Sequence, residues 1–248
     1  MSINNKAIGG IPRVVASAVA AMLACTLALP AAHAGPREQA KRIHDRLVGT
    51  PPSATTLDAM ATMIAGNGDA GALQAALFAI DRTRAESSPF YNITLKNFAT
   101  PWTNRDQTVF APLNDYSATV IGLVRDDSDF RTALVADVLY VGTNVSGAPG
   151  YSPTSNAHYQ FLEDRRADLR QVLAPQLQSS LSGIPAAATA GVITSRAASE
   201  AFFIDGTNRA NFRFTLLNHL CRDLEQVHDT TRAPDRIRQD VTRSPGGD

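Results

Sequence analysis

Cysteine is nearly absent from this chain: its 248 residues hold two, Cys25 and Cys221. There is no Cys-x-x-Cys-His, so the chain itself offers no covalent attachment point for c-type haem, which needs two thiols and a His directly after the second. Zinc sites of the usual spacings are excluded in the same way, because there is no His-Glu-x-x-His and no second thiol pair. An excess of one charge is also lacking. Lys and Arg number 23, as do Asp and Glu, so nothing marks the concentrated basic face of a nucleic-acid binder or a polybasic membrane patch. Serine-hydrolase signatures are missing: no Gly-x-Ser-x-Gly elbow occurs, and Ser195-Arg196-Ala197-Ala198 lacks the Lys of a Ser-x-x-Lys pair. The run Gly66-Asn67-Gly68-Asp69-Ala70-Gly71 has the glycines of a phosphate loop, but no strand precedes it and no Lys-Ser/Thr follows. It reads as a turn between helices. These absences leave no catalytic, cofactor-binding or metal-ligating residue to assign.

What is present starts at the N-terminus. Lys6 and Arg13 form a short basic stretch, Val14 to Leu29 is apolar or small, and Ala32-His33-Ala34 is a small-x-small cleavage site before Gly35. Residues 1–34 therefore read as a secretory signal peptide cut after Ala34, placing the mature chain in a periplasm or outside the cell. The alternatives are an uncleaved membrane anchor, for which the apolar run is short and Ala-rich, and a lipoprotein signal with Leu23-Ala24 before Cys25, which the flanking residues fit poorly. Cleavage leaves 214 residues (248 less 34) and removes two basic residues and no acidic one, so the formal charge falls from 0 to −2. Only Cys221 then remains. Its neighbours Phe212, Phe214, Leu216, Leu217 and Leu220 are apolar, so it is expected to pack as a small buried hydrophobe and react slowly.

The mature chain reads as all-α, an irregular helical bundle with long loops over residues 35–227, followed by a polar tail at 228–248. A charged helix runs from Arg37 to Leu47 and stops at Gly49 and Pro51-Pro52. Thr55-Thr56-Leu57-Asp58 is expected to cap a second helix with Leu57, Met60, Ala61 and Ile64 on one face. After Gly66-Asn67-Gly68 a third carries Leu73, Ala76, Leu77 and Ile80. Phe90 to Phe98 forms another, ending before Pro101. Asn114 or Asp115 caps a helix with Tyr116, Val120, Ile121 and Val124, and Ser128 is expected to cap a further one through Phe130, Leu134, Val135 and Val138. Val138 to Val141 is ambiguous, with a short extended piece as the alternative. Gly142 to Ser155 reads as a surface loop, Asn156 to Leu173 as a solvent-facing helix, and Ser179 to Thr189 as a loop. Thr194 to Phe203 and Thr207 to Val227 are the last helices. The tail carries no apolar anchor and reads as flexible and as the start of something cut off.

Individual side chains carry structural readings. Asp126, Asp127 and Asp129 crowd three carboxylates, without the Gly and distal Glu of a calcium-binding EF-hand, and are read as a helix end and a cap. His44, His158, His219 and His228 each stand alone. Trp102 is expected to plug the core where a loop meets a helix. Arg196, Arg209 and Arg213, with Glu200 and Asp205, are read as an ion-pair network, with an anion site as the alternative.

Three ordered stretches carry a likeness. Arg42 to Ser53, with its Leu47-Val48-Gly49-Thr50-Pro51-Pro52-Ser53, precedes the Leu57/Met60 helix. Asn114-Asp115-Tyr116 leads to Asp126-Asp127-Ser128-Asp129-Phe130, Leu134 and Asp137. Gly191-Val192-Ile193-Thr194 leads to Asn208-Arg209, Phe212-Arg213-Phe214, Leu217 and Leu220-Cys221. The set resembles the planctomycete-type cytochrome c-associated domain families of uncharacterised function. In those families the third stretch lies just upstream of a Cys-x-x-Cys-His haem site, a segment missing from this chain. The resemblance implies an exported helical domain, the N-terminal part of a haem redox (electron-transfer) protein. Its partner would be a cytochrome or haem-bearing domain, with haem c held by a downstream segment; the balanced charge, separately, points to no nucleic-acid partner and no membrane contact of the mature chain. It hands over no catalytic residue. The rival reading is a cofactor-free periplasmic binding or scaffold protein.

Overall fold

The computed structural model describes residues 34–203 and 209–223. Apart from Ala34, the signal segment lies outside these residues. So do Asp205, His228 and the tail at 228–248. The described residues are mostly helical, with one small two-stranded sheet, as the periodicity predicts.

The chain opens with a helical hairpin. Helix α1 (Pro36–Leu47) starts on a proline, whose missing N–H costs nothing in a first turn. Helix α2 (Ala54–Ile80) is capped by Ser53, whose hydroxyl accepts from the Thr56 amide at 3.2 Å. The cap therefore lies two residues before the expected Thr55 start, and the Thr56 hydroxyl of the first turn donates across to Glu86 at 2.6 Å. Within α2 the chain breaks at Gly68 (φ 53°, ψ −125°), a conformation that favours glycine, in the Gly-Asn-Gly run read as a turn. The hairpin core is made of small and slender side chains: Ala40, Val48, Met60, Ile64, Ala75 and Ala79. Beyond it a wide turn at Phe90–Thr94 leads into α3 (Leu95–Ala99) and a tight turn at Thr100–Thr103 that holds Pro101.

The rest of the fold is arranged around α4 (Asp115–Arg125). Asn114 and Ser117 cap each other reciprocally at its start. Nine consecutive residues, Asp115 to Leu123, are buried; a helix covered on every side belongs in the centre of a protein. Ala118, Ile121 and Leu123 face one core with Tyr91, Leu113, Tyr140, Tyr159 and Leu162. Tyr116 and Val120 face another with Ala198, Phe202 and Phe214. Strand β1 (Leu139–Gly142) lies against α4 and pairs antiparallel with β2 (Leu173–Gln176), Leu139 opposite Gln176. Its Tyr140 amide donates to the Thr119 hydroxyl of α4 at 3.0 Å. Gly122 lets the Tyr140 ring lie against the helix, where any Cβ would overlap it.

Several elements differ from the periodicity. The helix expected from Ser128 through Val138 is a short 3-10 turn, Phe130–Leu134, capped by Asp129. The chain then straightens because β1 gains a ladder partner that periodicity cannot see. The 156–173 helix is α5 (Ala157–Asp164) followed by a left-handed Arg166, the short α6 (Leu169–Val172) and β2. It does not face solvent: His158, Tyr159 and Leu162 are buried, with the Tyr159 hydroxyl donating to the Tyr140 carbonyl at 2.9 Å. The 179–189 loop starts with α7 (Gln178–Ser182). Helices α8 (Arg196–Phe202) and α9 (Arg209–Leu220) complete the described chain, α9 ending before the expected Val227.

Candidate functional site

Two polar clusters and one aromatic cluster gather on α4 and the helices around it. At the first, Asp115 is 0% exposed. Oδ1 accepts from the Tyr116 amide at 3.0 Å and the Ala197 amide at 3.0 Å; Oδ2 accepts from the Arg196 amide at 2.6 Å and the Tyr151 hydroxyl at 3.4 Å. Burial pushes this carboxyl above its usual range, against the pull of the amides and of Arg196. With both oxygens occupied by protein donors, Asp115 ties the start of α4 to the start of α8 and has no lone pair free for base chemistry. Ser195, the N-cap of α8, accepts from the Ala198 amide at 3.2 Å and donates to the Val192 carbonyl at 2.6 Å. It is a buried cap and not a nucleophile with a base beside it.

Next to this node the Arg196 side chain lines a cleft of about 310 Å³ with Asn114, Asn156, Gln160 and Glu200. Arg196 donates from Nη2 to Asn156 at 2.9 Å and pairs with Glu200, while its Nε is buried without a partner. Arg213 pairs with Asp223 at 2.8 Å. Of the residues read as a network, Arg196 pairs with Glu200 and Arg213 with Asp223, while Asp205 and the Arg209 side chain lie outside what the structure describes.

The aromatic cluster holds α9. Phe98, Trp102 and His219 form a chain of edge-to-face contacts with ring centroids 4.7 and 5.2 Å apart. Tyr116 stacks on His219 and its hydroxyl lies 2.7 Å from Nε2. Burial pushes the Tyr116 phenol well up and the His219 imidazole down, so the phenol keeps its proton and donates it to an unprotonated Nε2. Trp102 is half-buried and clamps α9, with its carbonyl accepting from Asn218 at 3.3 Å. Phe98, Phe212 and Leu220 are exposed by 51%, 58% and 59%.

The remaining singled-out residues are structural. Burial works against ionisation of Asp126, but its bonds from Arg125 and Tyr140 and the nearby Arg82 outweigh that and hold its carboxyl below the usual range. Asp127 ends α4 in the left-handed region (φ 50°), and Asp129 caps the next turn. His44 Nδ1 donates to the Thr50 carbonyl at 2.8 Å. His158 is bonded at both nitrogens, accepting from the Gly142 amide at 2.9 Å and donating to the Pro149 carbonyl at 2.7 Å.

Cys221 is exposed, not buried as expected. Continued helix would have placed it on the inward face with Ala210, Phe214 and Leu217. The helix stops at Leu220, and Cys221 takes φ 51°, which turns its side chain outward. The sequence marks Asp115 only as a possible cap; its role across the fold, tying α4 to α8, appears in the structure. The two adjacent polar residues Asn114 and Asp115 were the available signal: one caps its own helix, leaving the other to turn inward. Compared with known families, curated proteins and solved structures, the chain matches none.

Proposed function

We propose that this chain is an exported helical domain that docks against a haem-bearing c-type segment or partner and belongs to an electron-transfer protein of the periplasm or cell exterior. The haem in this reading belongs to the partner. Covalent attachment has no place among the described residues, where Cys221 is followed by Arg222, and His158 has both ring nitrogens bonded within the fold. The observation that carries the reading is the apolar rim around α9. Phe98, Phe212 and Leu220 stand in solvent around a helix locked to the body by Trp102, Tyr116 and His219. Phe212 and Leu220 belong to the stretch that the resemblance puts just upstream of the haem segment, and exposed apolar side chains on a rigid base mark interaction surfaces.

The test uses a longer chain in which a Cys-x-x-Cys-His segment follows Asp248, made in a host competent for cytochrome c maturation. Covalent haem is expected by staining after denaturing electrophoresis. Fluorescence of Trp102, the single tryptophan, is expected to be quenched by the docked haem and restored by Phe212→Glu or Leu220→Glu. Haem attachment with unquenched Trp102 would reject the docking. A frame downstream of Asp248 without any such motif, together with failure to bind a c-type cytochrome in titration, would leave a cofactor-free scaffold as the better reading.

A further inference from the structure

We propose that a second pocket, between the Phe90–Thr94 turn and the end of α5, binds a small organic acid: an apolar ring or branched chain carrying one carboxylate. The pocket has a volume of about 290 Å³, with Ile93, Leu113, Leu162 and Leu169 as its apolar wall and Lys96 and Arg166 among its polar lining. Small-molecule sites have this make-up, an apolar cavity of a few hundred Å³ with a small number of oriented polar groups.

The wall is preformed by bonds within the protein. The Asn92 amide spans the pocket edge, donating to the Ala167 carbonyl at 2.7 Å and accepting from the Leu169 amide at 3.0 Å. Glu163 pairs with Lys96 and accepts from the Leu113 amide at 2.8 Å. These groups are spent on one another, and Arg166 is different. It ends α5 in the left-handed region (φ 49°), with its amide bonded to the Glu163 carbonyl and the Ala167 amide to the Leu162 carbonyl, both at 2.9 Å. That turn normally takes glycine or asparagine, because a Cβ is strained there. Arginine is a poor choice for the turn, and its guanidinium makes no ion pair with another described residue. Backbone strain at a ligand-facing position is a common mark of a binding site. Lys96 and Arg166 outnumber Glu163 by one positive charge at this pocket, which selects an anion, and the apolar wall selects one with a hydrocarbon body.

The ligand would bind with or without a haem-bearing partner. The experiment is a titration of the full chain with benzoate and with its neutral counterpart benzyl alcohol, followed by backbone amide chemical shifts. Saturable shifts at Leu113, Ala167 and Leu169 are expected, with a Kd for benzoate below about 1 mM and binding of benzyl alcohol at least about tenfold weaker. Arg166→Gly and Arg166→Asn should each weaken benzoate at least about tenfold while the melting temperature stays the same or rises, since both residues accept the left-handed turn. Absence of saturable shifts, equal binding of the alcohol, or benzoate affinity unchanged in both variants would each overturn the proposal.

Discussion

The N-terminal hairpin and the body around α4 are both helical, yet different forces hold them. The hairpin packs Ala40, Ala75 and Ala79 against Met60 and Ile64, so its two helices approach closely over small side chains and most of the gain is apolar burial. Within α2, Gly71 lets the chain fold back past the Gly68 break: a Cβ there would run into the Met63 carbonyl. The body instead buries a polar ladder on α4. Asn114, Asp115, Ser117 and Thr119 are all buried, and each is bonded to another element or to its own helix start. Apolar packing tolerates adjustment, whereas a buried polar group is stable only while all its partners are present. The two regions meet through Leu47 and Ile80, which pack on the main core. They are also joined by polar links such as the Tyr91 hydroxyl to the Ile80 carbonyl at 2.6 Å and the Arg84 guanidinium to Thr56 at 2.7 Å. This predicts a hairpin able to open while the body stays folded.

The sharpest way to break the contrast is at Asp115. Asp115→Ala strands the Arg196 and Ala197 amides without acceptors and is expected to cost about 3 kcal/mol or more in denaturant unfolding, losing the whole body cooperatively. Asp115→Asn, which keeps one acceptor oxygen, should cost about half as much. A loss confined to a few tenths of a kcal/mol would show that the node does not hold α4 to α8.

In the hairpin, Met60→Ala should cost about 2–4 kcal/mol, since it empties a fully buried site. Its signature should be local. Amide exchange is expected to speed up in α1 and α2 with little change at α4. Equal acceleration in both regions would mean that they unfold as one unit.

A smaller effect concerns pH. The folded pKa of His219 lies below its ordinary 6.5 because the ring is buried. The unfolded chain therefore takes up this proton first, and the stability from the neutral ring, present above 6.5, is lost as pH falls toward the folded value. Melting temperature should decline as pH falls below about 6.5, and His219→Gln, which keeps an acceptor for the Tyr116 hydroxyl, should flatten that slope. An unchanged slope would remove His219 as its source.

The least perturbing test is at Cys221. As an exposed thiol it should be labelled by a thiol reagent in the native state about as fast as in the unfolded one. Protection would mean that α9 continues through it and buries it.

Much of this architecture is written in the chain. The helix from Asn114, the break at Gly68 and the turn at Gly49–Pro52 follow from local chemistry: side chains that reach nearby amides, and glycines or prolines that admit only certain backbone angles. The candidate sites were far less legible. Asp115 and Ala197 are 82 residues apart, and Lys96 and Glu163 are 67 apart, so no local pattern couples them. Val138 to Val141 stays ambiguous in the sequence, and the early end of α5 is not legible there, for the same reason: the Leu139–Gln176 ladder and the Tyr159–Tyr140 bond form only when distant segments meet.

The sequence by itself therefore determined the helical class, the main breaks between helices and the absence of any thiol pair for haem, because each rests on periodicity, backbone geometry or residue inventory. Tertiary structure alone decided which polar residues turn inward, that Cys221 turns out, and that an arginine in a glycine-type turn lines an apolar pocket. Those outcomes depend on which distant groups satisfy or exclude one another once water has been removed.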